Sequence, residues 1–118
     1  MKISEIANML DAEVLSCKEL IDGEVHSACG CDMMSDVLAF VKEQAVLLTG
    51  LCNPQVVRTA EMMDMRCIVF VRGKRPPEDV VRLAEESGIV TLATAERMYV
   101  ACGKLYEKGL SGGSVLHG

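Results

Sequence analysis

Three groups of residues in this 118-residue sequence have the chemical character to bind or react. The first is Arg72-Gly73-Lys74-Arg75, a cationic turn on a chain of formal net charge −5. Guanidinium and ammonium groups crowded just ahead of a helix start suit an anion such as a phosphate, a nucleotide or a carboxylate. With the turn residues Gly50, Asn53 and Thr94 they make up the candidate anion set Gly50, Asn53, Arg72, Gly73, Lys74, Arg75 and Thr94. The competing reading is a solvated loop whose cations pair with acids elsewhere. The second group is Cys29-Gly30-Cys31-Asp32. Two thiols one residue apart can share a soft metal or an iron–sulfur centre, or report redox state. A structural zinc site takes four ligands, often as two Cys-x-x-Cys pairs. Here there is one Cys-x-Cys, which His26, Cys17 or Cys52 could complete only in space. The alternative is a pair of strand-end cysteines packed beneath a helix, with no cofactor. The third is His26 itself, a possible base for a neighbouring thiolate and equally an ordinary surface residue.

What is missing narrows the function. The Walker pattern, Gly-x-Gly-x-x-Gly and the Gly-x-Ser-x-Gly elbow are all absent, which speaks against a kinase, a nicotinamide enzyme and a serine hydrolase. No catalytic set stands out, so a non-catalytic protein is expected. Nucleic-acid binders carry basic patches and stacking aromatics. This chain is acidic and only 3% aromatic, so a nucleic-acid partner is excluded. No apolar run approaches the roughly 18 residues of a membrane span, and the opening Met1-Lys2-Ile3-Ser4-Glu5 lacks a signal-peptide layout. A cytoplasmic protein with reduced thiols is expected. Cys67 and Cys102, on apolar elements, read as small buried hydrophobes.

The elements that must position these groups are legible in the apolar pattern. Ala45–Thr49, Cys67–Val71 and Ile89–Ala93 are apolar almost throughout, and their starts are 22 residues apart. Runs without alternation fit strands buried on both faces of a parallel sheet. A helix follows each run. One starts at Asn53-Pro54, with Val56, Val57, Ala60 and Met63 inward. Another starts at Pro76-Pro77, with Val80, Val81 and Ala84 inward and Gly88 at its end. The third starts at Thr94, with Met98, Ala101, Cys102 and Leu105 inward and Gly109 at its end. The string Val56–Glu61 nearly repeats at Val80–Glu85, as expected of two helices packed on one sheet. Upstream, Ser4 caps a helix through Leu10. Glu13–Cys17 and Val25–Cys31 are short strands, and Asp32 caps a helix through Val41 that turns Met34, Val37 and Leu38 inward. Residues 1–110 then form one domain, and 111–118, with three glycines, a loose tail.

Taken together, Lys2-Ile3-Ser4-Glu5-Ile6, Gly30-Cys31-Asp32-Met33-Met34-Ser35-Asp36-Val37-Leu38, Asn53-Pro54-Gln55-Val56-Val57, Arg72-Gly73-Lys74-Arg75-Pro76 and Ala101-Cys102-Gly103-Lys104-Leu105-Tyr106 resemble a DRTGG domain over about residues 2–110. In the neighbourhood of the name-giving motif the chain departs from it, reading Asp22-Gly23-Glu24-Val25-His26-Ser27. The resemblance implies a three-layer α/β/α sandwich with a mainly parallel sheet, similar to the N-terminal domain of HPr serine kinase and to domains of phosphotransacetylases and CBS-containing pyrophosphatases. It implies an accessory, dimerising module; with the cationic turn at the strand ends, a regulatory or interaction module that senses a small anion or nucleotide is expected, with a protein partner as a further option. The Cys-Gly-Cys-Asp form resembles stand-alone members found near anaerobic hydrogenase genes, which keeps open a redox or metal-binding accessory protein centred on Cys29 and Cys31.

Overall fold

The apolar runs at 45, 67 and 89 become strands because they offer water no polar face. The computed structural model describes residues 1–40 and 44–112. Its elements are α1 (Ile3–Met9), β1 (Glu13–Ser16), a 3-10 turn (Lys18–Leu20), β2 (Ser27–Gly30), α2 (Met34–Phe40), β3 (Ala45–Thr49), α3 (Pro54–Met62), β4 (Cys67–Phe70), α4 (Glu78–Glu86), β5 (Val90–Ala93) and α5 (Met98–Glu107). Every residue of β3, β4 and β5 is buried. The five strands form one sheet in the order β1-β5-β4-β3-β2. β2 to β5 are parallel, with Val46 opposite Cys67 and Cys67 opposite Val90, and β1 runs antiparallel to β5. The tandem β–α units do lie side by side, and the fold is the expected α/β/α sandwich.

Two cores follow from the alternation of side chains across each strand. Crossovers between sequential neighbours carry α2, α3 and α4 to one face. There Met34, Val37, Val56, Val57, Ala60, Val80 and Ala84 pack on Leu47, Ile68 and Phe70. On the other face Ile3, Ile6 and Leu10 of α1 with Ala101 and Leu105 of α5 pack on Val46, Leu48, Val69 and Leu92. Cys67 lies wholly inside this second core, and burial pushes its thiol far above the ordinary range, as befits a small apolar residue. Cys102 is only half-buried.

Tertiary contacts move several boundaries. Ser4 does not cap α1. Lys2 is the N-cap, and the first-turn amides of Ile3 and Ser4 donate to the carbonyls of Gly23 and Ile21. β1 stops at Ser16 because Cys17 turns left-handed at φ +53°. β2 starts at Ser27, since Val25 donates its amide to Met1 instead. α4 begins at Glu78 behind Pro77, and α5 begins at Met98 behind Arg97, four residues later than the sequence suggests. Leu38 is 40% exposed and Val81 half-buried, so neither belongs to the inner stripe. Val41 and residues 113–118 of the expected tail lie outside the described residues. The carbonyl of Ser111 accepts the amide of Ala28 on the outer side of β2.

The antiparallel strand β1 is held at its irregularity by one buried hydroxyl. Ser16 Oγ donates to the carbonyl of Ile89 at 2.8 Å, accepts the amide of Thr91 at 3.0 Å and lies 2.6 Å from the Thr91 hydroxyl. Ser16→Ala strands these buried groups. The expected loss is about 1–3 kcal/mol, read as a lower urea midpoint at unchanged slope.

Candidate functional site

Parallel strands send their carboxyl ends the same way, so the loops 31–33, 50–53, 71–77 and 94–97 meet along one rim. The connection after β4 leaves for the face of α4, and the one after β5 leaves for the face of α5. Diverging connections open a crevice where ligands commonly sit. Here the two loops bridge it. Arg72 N–H donates to the carbonyl of Glu96 at 2.7 Å, Gly73 N–H to Thr94 at 2.9 Å, and Lys74 N–H to Val71 at 3.2 Å. Arg72 and Gly73 are both left-handed, at φ +64° and +70°, the pattern of a primed turn. The amides of Arg72, Gly73 and Lys74 are thus spent inside the fold and leave the side chains of the turn as its main means of holding an anion.

The left-handed turn lays the Arg72 guanidinium over the next loop. A Cβ at Gly50 would lie 2.9 Å from Arg72 Nε and 3.0 Å from Cζ, so the guanidinium rests against the bare backbone of this glycine and would have to shift to admit a larger residue. The charges of Lys74 and Arg72 are within electrostatic reach of the half-buried Cys52. Burial pushes that thiol up, and the two cations pull it back down. Among the described residues neither cation has a carboxylate within salt-bridge range. Asn53 is exposed at the N-cap of α3, and its side chain makes no capping bond. Gly50, Asn53, Arg72 and Lys74 are therefore brought to one patch of rim around Cys52, with the start of α3 at its edge.

The rest of the expected set is engaged elsewhere. Arg75 pairs with Glu13 at 2.8 Å, and that hydrogen bond holds the Glu13 carboxyl below its usual range. Thr94 is 3% exposed. Its hydroxyl donates to the carbonyl of Leu10 at 2.7 Å and accepts the amide of Glu96. Thr94 fastens the end of β5 to α1 and presents nothing to a ligand. Asp32, read from sequence as a helix cap, instead accepts the Thr49 hydroxyl at 2.9 Å and the Gly50 amide at 2.7 Å. It fixes the glycine on which Arg72 rests, and it also brings a negative charge to the rim. No local pattern marks this role, because Asp32 and Gly50 are 18 residues apart.

Cys29 and Cys31 point to the same face of β2 and pack against the core under α2 and α3, half-buried. Gly30 faces the other way, and a Cβ there would lie 2.7 Å from Cys102 Sγ and 3.2 Å from Met98 Sδ. The thiol of Cys29 is pushed up to about 11, first by burial and then by Cys31, Cys102 and Asp36. Among the described residues, the group of three metal-ligating side chains with all donor atoms within 4.8 Å is Cys17, Glu19 and Glu85, to which neither Cys29 nor Cys31 belongs. Exposed His26 is on the opposite rim, at a hollow of about 410 Å³ shared with Asp22, Glu24, Gln44 and Arg66.

The family model of the DRTGG domain matches residues 5–106, nearly the whole described fold. The chain belongs to the DRTGG domain family. No curated protein matches its sequence. Among solved structures it is similar to the CBS and DRTGG domains of the regulatory region of Clostridium perfringens pyrophosphatase, a crystal structure complexed with the activator diadenosine tetraphosphate. That likeness has a TM-score of 0.71 at 14% identity and covers 98% of this chain and 52% of the other. This chain thus spans about half of that regulatory region, and at this identity the likeness shows the fold. Among the described residues of this DRTGG domain, no helix is long and apolar enough to cross a membrane.

A thiol raised to about 11 is almost wholly protonated at neutral pH. Alkylation of Cys29 by iodoacetamide, followed by peptide mass spectrometry, is expected to be slow at pH 7. It should rise about tenfold per pH unit up to pH 10, since the thiolate is the nucleophile.

Proposed function

We propose that this DRTGG domain is a non-catalytic regulatory module of the cytoplasm. It works as a homodimer and senses a small anionic or nucleotide ligand at the carboxyl ends of its strands. The observation that carries this reading is the placement of Arg72. A non-glycine residue held left-handed is uncommon and strained, and here the turn sets against Gly50 a guanidinium that has no carboxylate partner among the described residues, with Lys74 two residues on in the same turn. Membership of the family supports a regulatory role. The similar regulatory region has a nucleotide activator bound, which supports testing nucleotides first.

The chemistry asked of the site is recognition. Arg72 supplies a planar fork suited to a phosphate. Lys74 adds a point charge, and Asn53 can donate to an oxygen. Asp32 disfavours anions that approach its side of the rim, which would orient the ligand toward α3. No proton or electron transfer is required.

The test is thermal unfolding in the presence of inorganic phosphate, AMP, ATP and diadenosine tetraphosphate. A ligand at about 100 times its dissociation constant stabilises by roughly 2.7 kcal/mol, a rise of roughly 10 °C for a domain of this size. Arg72→Gly removes the guanidinium and suits the left-handed backbone. The variant is expected to melt no lower than the parent and to lose the ligand-induced rise, and Lys74→Ala should reduce it. If no probe raises the melting temperature, the ligand-sensing reading fails. If a rise persists in both variants, the ligand binds away from this rim.

A further inference from the structure

We propose that the outer face of α5 is the surface on which two copies of this chain pair, their α5 helices antiparallel and crossing at Gly103. This names the contact for the homodimer proposed above and rests on that reading.

The chain has two tyrosines and no tryptophan, and both tyrosines stand outward on this one helix. Tyr99 is 89% and Tyr106 73% exposed, with Val100 at 42% beside them. Tyr99, Gly103 and Tyr106, at i, i+4 and i+7, share one helix face, and Val100, three residues before Gly103, borders it. Ala101 and Leu105 occupy the opposite side, buried against the sheet. α5 is therefore apolar on both its inner and its outer side. A helix of that kind normally has both sides covered.

Gly103 points to what covers it. Glycine inside a helix is destabilising relative to alanine. Yet a Cβ at Gly103 would meet nothing within 4 Å, so nothing within the described fold requires glycine there. A second helix crossing at this point does, because the missing side chain lets two axes approach closely. In an antiparallel pair centred on Gly103, Tyr106 faces the partner's Val100 and packs a ring against a small side chain and bare backbone.

The charges select a second copy over an unrelated partner. Arg97 is the N-cap of α5, and Glu107 is its last residue. Each is at the end where the helix dipole disfavours its sign. Neither has an ion-pair partner among the described residues, whereas Lys104 is tied back to Glu96. An antiparallel copy brings Arg97 to the partner's Glu107. The two lie about 9 Å and about 6 Å from the crossing point along the axis, a mismatch of about 3 Å that an arginine side chain spans. The pairing recurs twice by symmetry and opposes the two helix dipoles.

Sedimentation velocity of the full chain from about 1 to 100 μM, a range that brackets ordinary dimer affinities, tests this. Gly103→Gln should fold and melt like the parent or higher, because the site is open and the substitution favours helix. It should weaken dimerisation at least about tenfold. Arg97→Glu and Glu107→Arg should each weaken it, and the double variant should recover it. Tyrosine emission, which reports α5 alone, should change with dilution through the same range. A parent dimer that Gly103→Gln leaves intact overturns this surface and leaves the homodimer standing. A parent that stays monomeric at about 100 μM, a weak limit for a specific dimer, overturns both. Charge variants that weaken the dimer without recovery in the double variant overturn the antiparallel arrangement.

Discussion

From Cys67 to Val71 no side chain reaches water, and β4 has a parallel neighbour on each side. A strand in that position needs a layer of helices on both faces, and the chain must build both layers. Three crossovers supply α2, α3 and α4 on one face. The two ends of the chain supply the other, as α1 and α5. Burial of this one strand thus accounts for the sandwich, for the use of the termini as a layer, and for the collection of four loops on one rim.

The rim is organised by long-range polar contacts rather than by its local sequence. Asp32 holds Gly50, Gly50 receives Arg72, Arg72 and Gly73 bind the loop after β5, and Thr94 fastens that loop to α1. Each link joins segments far apart in the chain, and each leaves a group on one loop fixed by a group on another. These contacts fix the backbone of the loops from which the Arg72 and Lys74 side chains project. The acidic protein thereby keeps a small region of opposite sign. The neutral, high-pKa thiols close by add bulk and no charge there.

The same sheet seats α5 across β3 and β2. Gly30 has no side chain, so Cys102 and Met98 press directly on the strand. That close seat leaves Tyr99, Val100 and Tyr106 nowhere to turn but outward. One glycine lets α5 lie on the sheet, and a second, Gly103, leaves the opposite side of the helix open to a close neighbour.

The sequence by itself determined the strands, the helices and their order, because burial on both faces leaves uninterrupted apolar runs and helix packing leaves a 3.6-residue period. It also marked the cationic turn, since three positive charges stand out on an acidic chain. Helix starts and site membership were not legible. Thr94 looked like a helix start and a ligand contact until the carbonyl of Leu10, 84 residues away, claimed its hydroxyl. Arg75 looked equivalent to Arg72 until the antiparallel return of β1 set Glu13 beside it. Asp32 looked like a cap until Gly50 came within its reach. Local patterns record what a residue buries. Which distant partner takes up each polar group is decided only when the strands are laid side by side, because a hydrogen bond or ion pair is formed by proximity in space, to which separation along the chain is no guide.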